Sequence, residues 1–206
     1  KQFDGRILTH GETLNLEIVT EWVTVDSVQT MEEVFAEICA ENPAWAYHRV
    51  PVTPDQTPEL KDFDEILEIL DAQTQPTIYG LQDQWGTGRS TTAAICVYLY
   101  QMWKTSPPAT IKVEAQRDFS LVNSVIRLLN HGQMIKMYVD LAIQHLSQNG
   151  TDLKDSIFTF LERAELARSH IDSKAATQKA CQYLERYFWL IVLNSYLYES
   201  KRSPPS

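Results

Sequence analysis

Residues 77–100, TIYGLQDQWGTGRSTTAAICVYLY, constrain the fold of this 206-residue chain more than any other segment. A short apolar run leads into a loop that contains Gly86 and Gly88, and a helix-forming run begins at Arg89. A strand, a glycine-bearing loop and a helix in this order direct backbone N–H groups and the positive end of the helix dipole to one place. The segment therefore predicts an anion-binding loop.

The residue types in this loop suit a phosphate group. Glycines permit the backbone angles that such a loop requires, and the guanidinium of Arg89 can donate two N–H groups to two phosphate oxygens. The loop differs from the P-loop of nucleotide-binding proteins, because no lysine follows the glycines. The predicted phosphate-binding loop consists of Gln84, Trp85, Gly86, Thr87, Gly88, Arg89 and Ser90.

The two halves of the chain have different periodicity. Up to about residue 112, strand-like segments (GRILTH, LEIVTEWVTV, AWAYHRVPV and TIYGL) alternate with helical ones, which predicts an α/β fold with a central, mostly parallel sheet flanked by helices. Residues from about 113 to 206 carry helical spacing alone, with Gly132 as a predicted helix stop and a buried central helix over 187–197. We expect one domain over 1–206, because the later helices have no sheet of their own to cover.

Charge and cysteine usage exclude several classes of protein. The formal net charge of −9 argues against non-specific nucleic-acid binding and against docking on an acidic membrane. The most apolar run, YFWLIVLNSYLY, is shorter than the ~20 residues that span a bilayer. Three scattered cysteines and five scattered histidines predict no disulfide framework, no metal site and no cofactor, and favour a cytoplasmic location. Cys96 is expected to be a small core residue.

The run DQWGTGRSTT resembles the signature loop of the cysteine-dependent phosphatases, Cys-x5-Arg-Ser/Thr. It is most similar to the paladin-like, tyrosine-phosphatase-like inositol phosphatase family. The resemblance extends through the first half in the segments GRILTH, TMEEVFAEI and YHRVPVTPDQTPELKDFDEILEIL. It continues into the second half in the segment LERYFWLIVLNSYL. The resemblance implies a protein-tyrosine-phosphatase-like fold. It also implies one repeat of a larger multi-repeat protein, which agrees with a chain that begins with Lys1.

Asp83 stands where the resemblance implies the nucleophilic cysteine. In the family that cysteine attacks phosphorus as a thiolate. A carboxylate is less polarisable, and at ~4 Å it repels one phosphate charge by about 4 kcal/mol at an effective dielectric near 20. Aspartates that attack phosphorus in other folds rely on Mg²⁺, and the sequence places no cluster of carboxylates near the loop. We expect Asp83 to accept hydrogen bonds from the loop and to pair with Arg89.

The resemblance also implies a general-acid aspartate in the loop after RVPVT. Pro54 stands where that aspartate would align, which leaves Asp55 as the candidate acid. Asp62 and Asp64 are further candidates, although a loop carboxylate or a helix N-cap explains each of them, and Asp62 in particular. Basic residues that could add positive potential near the pocket are His48, Arg49 and Lys61.

Three functions remain open from the sequence. The first is a catalytically inactive pseudophosphatase domain that scaffolds, interacts or regulates, with other repeats of the same chain or a protein as its partner. The second is a module that binds phosphate, an inositol phosphate or a phosphopeptide through Arg89 without hydrolysing it. The third is an active phosphatase with an unusual nucleophile. We favour the first, because Asp83 replaces the group that performs the reaction.

Overall fold

The structure is a computed structural model that describes residues 5–12, 18–53, 56–84, 88–105, 119–147 and 152–199. It divides into two compact units, Lys1–Arg49 and Val50–Ser206. The division does not fall at the predicted change of periodicity near residue 112. A single domain over the whole chain therefore stays a prediction.

The first unit contains a β-hairpin and one helix in its described residues. Strand β1 (Arg6–Glu12) pairs antiparallel with β2 (Ile18–Thr24). Helix α1 (Met31–Glu41) begins after Thr30, whose Oγ1 accepts the Glu33 N–H at 3.2 Å, while the Glu33 carboxylate accepts the Thr30 N–H at 2.7 Å. This reciprocal capping box satisfies helix donors that would otherwise lack partners. The two strands predicted from GRILTH and LEIVTEWVTV are confirmed.

The structure does not show the predicted central, mostly parallel sheet. In the part of the chain that the structure describes, the β1–β2 hairpin is the one sheet, and it is antiparallel. The segments AWAYHRVPV and TIYGL form no strand where they are described, and the Ile78 side chain is 99% exposed. Strand propensity reflects how well a residue packs on a sheet that already has partners. Apolar, β-branched residues alone therefore do not establish pairing.

The second unit is helical over most of its described residues. Its helices are α2 (Leu60–Asp71), α3 (Arg89–Thr105), α4 (Ser120–Ile126), α5 (Gly132–His145), α6 (Leu153–Leu166) and α7 (His170–Glu199). Helix α7 packs against α3, α5 and α6, and α3 also packs against α2 and α5. The predicted helical character of the second half is confirmed for 119–147 and 152–199. None of the described helices combines the length and the apolar character that crossing a membrane requires.

Gly132 begins a helix, which corrects its predicted role as a helix stop. Helix α4 already ends at Ile126, and His131 has a left-handed φ of 55° immediately before α5. A Cβ added to Gly132 would overlap the Ile126 carbonyl group. The glycine is therefore required by the close approach of two backbone segments. A sequence pattern does not distinguish this role from a helix C-terminus.

The C-terminal half of α7 forms the centre of the core. Tyr187, Leu190, Ile191 and Leu197 each expose 1% or less of their surface. They belong to one cluster with side chains of α2, α3, α5 and α6. Fully burying one such side chain contributes roughly 1.5–3 kcal/mol. The predicted buried central helix over 187–197 is confirmed, except that Tyr196 is 46% exposed.

A polar network crosses this core. The Asp140 carboxylate accepts hydrogen bonds from Lys136 Nζ and from the Tyr187 hydroxyl, both at 2.6 Å, and Lys154 Nζ lies 3.5 Å from the same group. All four side chains are buried. A buried charge is tolerated when it is paired and hydrogen-bonded. Asp140 thus joins α5, α6 and α7 through one carboxylate.

We predict that Asp140→Ala lowers the free energy of unfolding by about 3–5 kcal/mol, because it leaves two buried ammonium groups and a buried hydroxyl without this acceptor. Urea denaturation measures the change. Glu165→Ala removes the same charge from an exposed position on α6 and is expected to change the free energy by less than about 0.5 kcal/mol. Equal effects of the two substitutions would contradict the importance of the network.

Candidate functional site

Part of the predicted phosphate-binding loop is described by the structure. Asp83, Gln84, Gly88, Arg89 and Ser90 are described, and all lie at or near the N-terminal end of α3. Trp85, Gly86 and Thr87 lie outside the described residues, as do Pro54 and the candidate acid Asp55. The geometry of the site is therefore given by the two ends of the loop and by the elements that contact them.

The Asp83 carboxylate occupies hydrogen-bond donors at the N-terminus of α3. Its Oδ2 accepts the Ser90 backbone N–H at 2.8 Å and the Ser90 hydroxyl at 3.1 Å. The first N–H groups of a helix have no partner within the helix, and negative charge is favoured at that end. Asp83 thus bonds to a helix donor that a phosphate seated at this N-terminus would also use.

Arg89 contacts a different segment. Its Nη1 donates to the Val52 carbonyl at 3.3 Å. The expected pairing of Asp83 with Arg89 is absent from the contacts of Arg89 in the described chain, and Ser90 provides donors to the carboxylate instead. A guanidinium has five N–H donors. The bond to Val52 therefore leaves Arg89 with capacity for an anion.

The first turn of α3 is supported by its own hydroxyl residues. The Gly88 carbonyl accepts the Thr92 N–H at 3.2 Å and the Thr92 hydroxyl at 3.0 Å. Ser90 and Thr92 are buried at 8% and 5% exposure. Ser90, through Asp83, and Thr92, through Gly88, therefore hold the end of the loop in place by local contacts.

Sequence reasoning missed Arg186, which extends from α7 toward this site. Its Nη2 donates to the Gln56 carbonyl at 3.0 Å, and a Cβ added to Gly88 would lie 3.9 Å from its Nη1. The side chain is only 6% exposed. A sequence signal exists, because Glu185 and Arg186 interrupt the apolar run YLERYFWLIVL. Arginine is rarely buried without a specific contact.

The other acidic candidates are placed as parts of α2. Asp62 is 3% exposed and accepts the Glu59 N–H at 2.8 Å. Because α2 begins at Leu60, Asp62 lies inside the first turn rather than at the N-cap position predicted for it. Asp64 is exposed on the same helix. The capping contact of Asp62 gives this carboxylate a structural role.

The basic candidates are distributed over both units. Lys61 is exposed, and its Nζ lies 2.9 Å from a Glu59 carboxylate oxygen, which raises the pKa of the lysine through a hydrogen bond. His48 and Arg49 belong to the first unit. Within the described ranges, no group of three or more His, Cys, Asp or Glu side chains could hold a metal ion.

Cys96 is a core residue, as the sequence predicted. It has 0% exposure, and burial raises the pKa of its thiol to about 12. The thiolate, not the thiol, is the nucleophilic form of cysteine. Cys96 is thus protonated at neutral pH and is not available as a nucleophile.

Comparison with known proteins identifies the family of this chain. Residues 1–101, which include Asp83 and the first part of α3, match the family described as PTP-like phytase, inositol hexakisphosphate. The chain is a member of a protein-tyrosine-phosphatase-like (PTP-like) family of the paladin type. Paladin of Homo sapiens is 30% identical to it over 189 residues, covering 84% of this chain and 22% of that protein.

Paladins of other vertebrates are similar to the chain to the same degree. The protein of Xenopus tropicalis is 27% identical over 190 residues, covering 84% of this chain and 22% of that protein. The protein of Danio rerio is 26% identical over 205 residues, covering 92% and 24%. This chain therefore spans about a fifth to a quarter of the length of these relatives. No solved structure matches it.

We predict that iodoacetamide at pH 8 alkylates the exposed Cys181 of the folded chain roughly a thousandfold faster than Cys96, because the thiolate fraction of Cys96 is so small. Mass spectrometry of peptides over time measures both rates. The pKa of the Cys96 thiol is higher in the folded chain than in the unfolded chain. Burial of the neutral thiol therefore contributes stability that is complete below about pH 8.5, and this contribution is lost as the pH rises toward the folded pKa. Equal rates in urea are the control, and equal rates in the folded chain would contradict the assignment.

Proposed function

We propose that this chain is a catalytically inactive pseudophosphatase domain. It keeps the N-terminal end of α3 and the arginine of a cysteine-dependent phosphatase loop, but it has Asp83 at the position of the nucleophile. One observation carries the proposal. The Asp83 carboxylate accepts both the N–H and the hydroxyl of Ser90, at 2.8 and 3.1 Å, and so occupies donors at the phosphate end of the loop.

Electrostatics supports this proposal independently of the hydrogen bonds. A phosphate ester that entered the loop would meet a fixed negative group. At ~4 Å the repulsion amounts to about 4 kcal/mol at an effective dielectric near 20, and solvent screening lowers it for a partly exposed group such as Asp83. Binding and attack are both disfavoured, because the same carboxylate competes for the donors and repels the substrate.

The role that we propose is scaffolding, interaction or regulation. The relatives are four to five times longer than the matched segment, so the natural partners are other phosphatase-like repeats of a parent chain, or a separate protein. We include a cytoplasmic location in the proposal, because the three cysteines, Cys39, Cys96 and Cys181, are free thiols.

A second candidate is a module that binds a phosphate or inositol phosphate without hydrolysing it. The contact of Arg89 favours it, because one bond to Val52 leaves guanidinium donors for a ligand. The description of the matched family names inositol hexakisphosphate. This candidate requires a ligand to displace Asp83 from Ser90, whereas the first candidate requires no displacement.

We predict no release of phosphate above the buffer rate from p-nitrophenyl phosphate or from inositol hexakisphosphate, because a carboxylate replaces the thiolate. A malachite-green assay of the purified chain measures release, and an active cysteine-dependent phosphatase serves as the positive control. Hydrolysis that disappears in Asp83→Asn would overturn the proposal and establish the third candidate, an enzyme with an aspartate nucleophile.

We predict that Asp83→Asn binds inorganic phosphate at least about tenfold more tightly than the unmodified chain, because the amide removes the repelling charge while retaining an oxygen that can accept the Ser90 N–H. Isothermal titration calorimetry at fixed ionic strength measures the dissociation constants. Glu165→Gln removes one charge from an exposed site on α6 and is the matched control.

The same titration separates the first two candidates. Tight binding of phosphate or inositol hexakisphosphate by the unmodified chain, abolished by Arg89→Ala, would favour the binding module over the occupied loop. Equal and weak binding by the unmodified chain and by Asp83→Asn would show that the loop no longer forms an anion site at all.

A further inference from the structure

Two arginines from different helices contact the backbone on both sides of positions 54 and 55. Arg89 of α3 donates to the Val52 carbonyl at 3.3 Å, and Arg186 of α7 donates to the Gln56 carbonyl at 3.0 Å. Val52 and Gln56 flank in sequence the place where the family resemblance puts the general-acid loop. The arginines thus connect Val52 to α3 and Gln56 to α7.

Helix α7 makes further contacts with the same segment. The Thr57 hydroxyl lies 3.2 Å from the Gln182 carbonyl and 3.1 Å from a Glu185 carboxylate oxygen. The Arg186 guanidinium carbon lies 5.1 Å from the centre of the Tyr183 ring, within the range of a cation–π contact. One face of α7 therefore contacts the Gln56 backbone carbonyl through Arg186, and the Thr57 hydroxyl through Gln182 and Glu185.

Arg186 also approaches the phosphate-binding loop directly. Its Nη1 would lie 3.9 Å from a Cβ at Gly88, the residue whose carbonyl accepts the first hydrogen bonds of α3. This is ordinary contact distance for a side chain beside that residue. The buried guanidinium therefore donates to Gln56 and lies beside Gly88, in the two segments that border the candidate site.

We propose that Arg186 is a positioning residue of this site, which fixes the distance between the segment at Gln56–Thr57 and the Gly88 end of the phosphate-binding loop. The inference extends the proposed function, because it concerns the same loop. Arginine suits this position since its planar guanidinium offers several donors in fixed directions, whereas a lysine offers a single ammonium group. Other residues of α7, Tyr187 and Leu190 among them, pack in the hydrophobic core.

The first test is hydrogen exchange of the full chain, followed by mass spectrometry of peptides that cover residues 56–60 and 88–92. In Arg186→Gln, amides of both segments are expected to exchange about tenfold faster or more, because local opening no longer breaks these contacts. Arg186→Lys is expected to be intermediate. Arg163→Gln is the matched control, since Arg163 also lies over an aromatic ring, at 5.2 Å from Phe160, but on α6.

The second test measures the affinity for inorganic phosphate in the Asp83→Asn background. Adding Arg186→Gln is expected to weaken binding about fivefold or more, adding Arg186→Lys to restore part of the loss, and adding Arg163→Gln to change nothing. A purely structural role would lower the melting temperature without this graded change in affinity. If Arg186→Gln does not fold, Arg186→Lys decides both tests.

The outcomes separate this inference from the proposed function. The positioning role is overturned if hydrogen exchange at 88–92 is unchanged in Arg186→Gln. It is also overturned if substitution of Arg186 does not change the phosphate affinity of the Asp83→Asn chain. Absence of phosphate binding by Asp83→Asn counts against the proposed anion site alone, because the exchange test of Arg186 needs no ligand. Faster exchange in both segments, with partial rescue by lysine, supports the positioning role.

Discussion

The hydrogen bond between Asp140 and Tyr187 is the contact on which the helical unit depends. It joins α5 to the middle of α7, and two lysine side chains, Lys136 and Lys154, share the same carboxylate. The helices that surround α7 are therefore arranged about one charged group as well as about apolar packing. Such a group requires well-defined geometry, because a buried charge without its partners is unfavourable by several kcal/mol. The contacts of Asp140 thus specify the position of α7, and they thereby also determine where the side chains on its other face lie.

Local sequence signals predicted the helices well and the sheet poorly. The periodicity of apolar residues and the capping pattern at Thr30 depend on neighbours three or four residues away, so a sequence contains them completely. A parallel sheet depends on partners far along the chain, and the apolar segment around Ile78 has none among the described strands. Gly132 illustrates a related difficulty, because the need for glycine at this position arises from the close approach of the Ile126 backbone and not from the helix that Gly132 begins.

The candidate site shows the same division. The loop sequence predicted which residues would surround an anion, and it showed directly that position 83 is an aspartate. The sequence did not show which partner each side chain contacts. Arg89 donates to the Val52 carbonyl, and Asp83 accepts the Ser90 N–H. Arg186 follows Asp83 by about a hundred positions in the chain, and its contact with Gln56 follows from the packing of α7. The sequence shows a charged residue within the apolar run of α7, but it does not indicate which distant segment that residue contacts.

The bond between Asp83 and Ser90 also bears on how such a domain behaves in a cell. An enzyme of this type leaves the end of its helix for the substrate, so its loop responds to the supply of phosphorylated compounds. Here a carboxylate of the chain itself accepts hydrogen bonds from Ser90, so a free anion would have to displace it from those donors. Under the proposed function, the surface beside α3 would not change with the supply of phosphorylated compounds, and a partner protein or repeat could recognise it under all conditions.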